Sequence, residues 1–106
     1  GEPPTQFEPI FQFRNGKLKF RYQRELIDDG HKKTKQSLSK KQINALNFLD
    51  EILDNDDNAV TYTLKSGDMI FSNNNWLIHG RTGFEDFENT DSKRTLFRAW
   101  IRGREN

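Results

Sequence analysis

Hydrophobic and polar positions alternate in two short runs near the start of the chain. They are Phe11-Gln12-Phe13-Arg14 and Lys17-Leu18-Lys19-Phe20-Arg21-Tyr22. Asn15-Gly16 separates them, and this pair suits a tight turn because both turn positions need positive φ. The pattern predicts a β-hairpin with Leu18, Phe20 and Tyr22 on one face and Lys17, Lys19 and Arg21 on the other. Residues 28–37 are polar throughout and read as a loop. The apolar spacing then changes to a helical period: Ile43, Leu46, Leu49, Ile52 and Leu53 form one stripe. Ser39-Lys40-Lys41-Gln42 is a capping box ahead of it, with Leu38 and Ile43 placed for a hydrophobic staple. This predicts the one substantial helix, ending at about Asp54 before Asn55-Asp56-Asp57-Asn58.

Beyond the helix the pattern returns to period two. Val60, Tyr62 and Leu64 alternate with threonines and predict a strand. Ser66-Gly67-Asp68 turns the chain, and Met69-Ile70-Phe71 and Trp76-Leu77-Ile78-His79 predict two more strands. Residues 80–93 read as a loop. Residues 94–102 predict a last strand, with Arg94, Leu96, Arg98, Trp100 and Arg102 on one face. All three prolines lie within residues 1–10, an extended lead-in. The expected class is mainly β with one helix, an α+β chain.

Composition adds a constraint. Only 32% of the 106 residues are hydrophobic and mean hydropathy is −0.99, against roughly 45–50% apolar with glycine in globular domains. Nine Phe, two Trp and two Tyr make the available core mostly aromatic. The chain is either a weakly buried domain or part of a larger fold. Seventeen basic and sixteen acidic residues give a net charge of +1, which supplies no bulk drive toward nucleic acid or membrane. There is no cysteine, hence no disulfide or thiolate site. No apolar run has membrane-span length, and no signal-peptide pattern opens the chain. These features are compatible with a cytoplasmic location.

The candidate chemistry lies in the last third. His79 follows an apolar run, so its backbone is expected half-buried, and a neutral imidazole there could ligate a metal. A hydrogen-bonded structural histidine is the alternative. Arg94 and Arg98 share a strand face roughly 13 Å apart. A guanidinium fork binds a carboxylate through two parallel hydrogen bonds, so the pair suits an anion. A solvated edge strand accounts for them as well. His31 sits in the polar segment after Asp29-Gly30, and a surface role suits it better than ligation. Lys32, Lys33, Lys35, Lys40 and Lys41 form a basic cluster without interleaved aromatics, as a solvated surface would. Tyr22 and Arg24, at the hairpin's end, could approach a substrate or simply pack and solvate.

Taken in order, Leu64–Phe71, Asn73–Asn75, Ile78-His79-Gly80-Arg81-Thr82-Gly83-Phe84 and Lys93–Ile101 resemble the C-terminal portion of the taurine dioxygenase and clavaminate synthase-like family. These are Fe(II)- and 2-oxoglutarate-dependent oxygenases. The resemblance is strongest over residues 60–102 and looser over 9–58. The arginines fall 15 and 19 residues after the histidine, at Arg94 and Arg98.

The resemblance implies a double-stranded β-helix, or jelly roll. It implies that His79 is the distal histidine of a two-His-one-carboxylate iron site. It makes Arg94 the anchor of the 2-oxoglutarate carboxylate and Arg98 a residue orienting the small-molecule substrate or the cosubstrate. Gly80 and Arg81 shape the segment after the histidine.

The family's His-x-Asp or His-x-Glu motif is not present. His31 is followed by Lys32 and Lys33, and Asp29-Gly30-His31 has the reverse order. Residues 1–106 are therefore expected to be the C-terminal portion of one oxygenase domain, without the half that carries that motif. The alternative is a non-catalytic anion-binding or interaction domain on the same scaffold. The expected partner is the missing half or a second copy of the chain.

Overall fold

A computed structural model describes residues 4–80 and 95–103. The hairpin forms as the alternation predicts. Strand β1 (Phe11–Arg14) pairs antiparallel with β2 (Lys17–Phe20), with Phe11 opposite Phe20 and Phe13 opposite Leu18. Asn15 (φ 52) and Gly16 (φ 71) occupy the left-handed region that a two-residue turn of this hand demands. Phe11 and Phe20 stack at 4.7 Å between ring centroids, and Tyr22 continues the stack at 6.4 Å from Phe20. The cross-strand ring pair is the local reason for this register.

Two helices follow, α1 (Arg24–Thr34) and α2 (Lys40–Leu53), then a 3-10 turn at Asp56–Asn58. Helix α1 replaces the loop expected over 28–37, so the described residues hold two substantial helices. Its apolar residues are few, and its charges are placed in the order that favours a helix. Glu25 lies in the first turn, and His31, Lys32 and Lys33 lie in the last, each sign matching the helix dipole. Arg24 pairs with Asp28 one turn on at 3.2 Å, and Asp29 with Lys32 at 3.7 Å. Lys35, at φ 54, closes the helix with an αL cap.

Helix α2 begins at the expected capping box. Ser39 Oγ accepts from the Gln42 amide at 3.2 Å, and Gln42 Oε1 accepts from the Ser39 amide at 2.8 Å. Leu46, on its apolar stripe, is the one buried residue among those described, at 7% exposure. Ile10 and Phe11 of the hairpin and Ala45, Leu46, Leu49 and Ile52 of α2 line an apolar groove of about 330 Å³.

Among the described residues β1 and β2 are the only strands. The strands expected at 60–64, 69–71 and 76–79, and residues 95–102 of the last one, are extended or irregular chain instead. A strand is held by a neighbour's amides and carbonyls, and these segments have no such ladder. Their apolar side chains are correspondingly open: Val60 is 90% exposed and Phe97 97%. No described helix is long and apolar enough to cross a membrane.

Candidate functional site

Asn73 organises the approach to His79. Its side-chain oxygen accepts from the Asn75 amide at 3.1 Å, and its carbonyl accepts from Leu77 at 3.2 Å. Asparagine does this because its short side chain reaches its own backbone two residues on. The Asn75 carbonyl then accepts from the Phe20 amide at 2.7 Å. That bond fixes the start of the His79 segment to the outer edge of β2.

Past this anchor, Trp76 and Leu77 remain largely exposed and Ile78 is half-buried. His79 itself is exposed, which corrects the half-buried position expected from its apolar neighbours. Gly80 has open space around it. Arg98 is exposed, with its guanidinium carbon 6.0 Å from the Trp100 ring centroid. Arg94 and Arg81 lie outside the described residues.

Among the described residues, the donor set around His79 does not by itself fit an iron centre. Among the described residues no three His, Cys, Asp or Glu side chains group together to hold a metal. His31 and Asp29 serve α1. His31 Nδ1 donates to the Gln36 carbonyl at 2.7 Å beyond the helix end, and Asp29 pairs with Lys32. His31 thus belongs to a helix terminus, not to the polar loop expected from the sequence.

The basic cluster divides in the same way. Lys32 and Lys33 fall in the last turn of α1 and Lys35 at its cap, while Lys40 and Lys41 open α2.

Among the described residues a dense polar cluster lies where the hairpin meets the helices. The Tyr22 hydroxyl donates a short hydrogen bond to Asp50 Oδ1. Arg24 binds Asp50 Oδ2 at 2.6 Å, Asn47 Oδ1 at 3.1 Å and Asp28 at 3.2 Å. Burial pushes the Tyr22 phenol above its usual pKa, and the bond to Asp50 adds to this. Desolvation opposes the Arg24 charge. Its interactions with Tyr22, Asp28 and Asp50 outweigh that and hold its pKa above the ordinary value.

Asp50 and Asn47 were not singled out in the sequence. Their spacing of three on α2 was the available signal, since it sets both on one helix face. The cluster clamps the hairpin exit to both helices, so Tyr22 and Arg24 serve packing and charge pairing within the fold.

Comparison with known proteins places these observations. One relative is FR-33289 synthase of Streptomyces rubellomurinus (strain ATCC 31215), 36% identical over 104 residues. The match covers 95% of this chain and 31% of that protein, so the chain spans about a third of its relative's length. No solved structure matches the chain. The model of the family described as taurine catabolism dioxygenase TauD, TfdA family matches residues 1–100. With nearly its whole length matched, the chain belongs to the TauD/TfdA family.

Proposed function

We propose that this chain is the C-terminal part of an Fe(II)- and 2-oxoglutarate-dependent dioxygenase that oxidises a small molecule. The observation that carries the reading is family membership over residues 1–100, joined to the order His79, Arg94, Arg98 within that span. In the complete enzyme the iron supplies the oxidising chemistry, with decarboxylation of 2-oxoglutarate. His79 contributes one imidazole ligand. A His-x-carboxylate pair from sequence outside this chain contributes the other two, since neither His31-Lys32-Lys33 nor His79-Gly80-Arg81 has the carboxylate of that motif.

Arg94 grips the distal carboxylate of 2-oxoglutarate through its two-pronged guanidinium. Arg98, held against Trp100, orients the acidic end of the substrate or cosubstrate. The surrounding jelly roll is completed by that same outside sequence. It supplies neighbours for the segments 60–79 and 95–102 and covers the apolar side chains now open. The exposed position of His79 suits a ligand that meets its metal at the seam between these two parts.

The test uses the longer polypeptide that contains this chain. His79→Ala is expected to abolish 2-oxoglutarate-dependent succinate release and to weaken Fe(II) binding measured by calorimetry. Unchanged turnover in that variant overturns the assignment. Retained small-anion binding in a wild-type polypeptide that releases no succinate points instead to a non-catalytic module on the same scaffold.

A further inference from the structure

The polar face of the hairpin carries a concentration of positive charge that none of the roles above uses. The register sets Gln12 opposite Lys19 and Arg14 opposite Lys17, and Arg21 follows on the same face. Like charges directly opposite each other across a ladder are destabilising, and Arg14 and Lys17 are such a pair. Against these four cations stands one described acid, Glu8, which binds Arg21 at 3.3 Å. Arg14 and Lys19 have no ion-pair partner among the described residues.

Arg14, Lys19 and Arg21 of this face line a cavity of about 370 Å³ with Asn74 and Asn75 on its other side, and Glu8, paired with Arg21, borders it together with Pro9 and Ile10. The Phe20–Asn75 backbone bond fixes that second wall. Asn74 accepts from Ser72 through its side-chain oxygen at 3.1 Å, which leaves its amide nitrogen as a donor at the rim. The cavity has the size of a small-metabolite site. Its donors are cationic or amide, the set that recognises an oxyanion. Among the described residues no aromatic side chain lines it, whereas a strand of nucleic acid is held by stacking platforms.

We propose that Arg14, Lys19, Arg21 and Asn74 form a binding site for a small phosphoryl anion, either inorganic phosphate or a low-molecular-weight phosphate monoester. The site uses neither His79, Arg94 nor Arg98, so it stands or falls apart from the oxygenase reading.

The experiment is a titration of the isotope-labelled longer polypeptide that contains this chain with inorganic phosphate and, separately, with glycerol phosphate, at constant ionic strength. The amide resonances of Arg14, Lys19 and Asn74 are followed. Saturable shifts confined to these residues and their neighbours are expected. The stronger of the two probes distinguishes free phosphate from a monoester, and either supports the site. Replacing both cations (Arg14→Gln with Lys19→Gln) should weaken half-saturation by about tenfold or more, through loss of two charge-assisted contacts. Lys40→Gln with Lys41→Gln, at the start of α2, should leave it unchanged.

Absence of saturable shifts, equal shifts with sodium chloride, or undiminished binding in the Arg14/Lys19 variant overturns the proposal. So does an oligonucleotide that moves the same amides at lower concentration than either phosphate.

Discussion

The backbone amide of Phe20 donates to the carbonyl of Asn75 at 2.7 Å. Phe20 faces Phe11 across the hairpin, and its amide points away from β1 to the outer edge of β2. One main-chain bond therefore joins β2 of the hairpin to the segment that leads to His79. The same bond sets the second wall of the cationic cavity, so one contact positions two unrelated candidate sites.

This contact depends on the turn that Asn73 makes. Asn73→Ala removes the side-chain acceptor of the Asn75 amide. The expected result is several-fold faster hydrogen exchange at the Phe20 amide, for the loss of about 1 kcal/mol of local hydrogen bonding. Exchange at Lys19, inside the ladder, should change less. Equal protection of Phe20 in both proteins would show that the turn holds without the side chain.

The Tyr22 phenol has a sign-definite effect on pH stability. Its folded-state pKa lies above the ordinary 10.0 because burial and Asp50 disfavour the phenolate. The folded state thus holds this proton more tightly than the unfolded chain. Its contribution is fully present below pH 10.0 and is lost as pH rises through the higher folded value. Tyr22→Phe is expected to lower stability at neutral pH by about 1 kcal/mol through the lost hydrogen bond. It should also flatten the alkaline decline, read from urea midpoints across the alkaline range. An alkaline decline of the same steepness in the variant contradicts the assignment.

The Ser39 cap is a local feature with a local cost. Ser39→Ala leaves the Gln42 amide without its acceptor and is expected to destabilise α2 by about 1 kcal/mol. Far-ultraviolet circular dichroism during thermal unfolding measures this. Ser37→Ala, ahead of the cap, serves as the control and should be near neutral.

On the proposed function, Arg94 and Arg98 are separable by kinetics in a longer polypeptide that contains this chain. Lysine keeps the charge of Arg94 but not the two-pronged geometry. Arg94→Lys should raise the 2-oxoglutarate KM by about tenfold or more, the cost of one lost charge-assisted bond, with a much smaller effect on the substrate KM. If the substrate KM alone rises, the two arginines have exchanged roles.

What the sequence determined by itself is local. Asn15-Gly16 dictates a left-handed two-residue turn, and alternation on either side sets the register, because the turn and the cross-strand rings act within a few residues. Ser39 and Gln42 dictate where α2 begins for the same reason. Helix α1 was missed because its signal is charge order and not apolar period: Glu25 early, Lys32 and Lys33 late, Arg24 one turn from Asp28. His79, Arg94 and Arg98 were legible only as an ordered set resembling a family, since no one of them is distinctive alone.

Only the tertiary structure decided that Tyr22 and Arg24 meet on Asp50, that Phe20 holds Asn75, and that the segments at 60–79 lack ladders. Each of these joins residues far apart in the chain or depends on a neighbouring strand. Alternation can mark which face of a segment is apolar, but hydrogen-bond partners come from elsewhere in the fold, and without them a strand-like pattern remains extended chain.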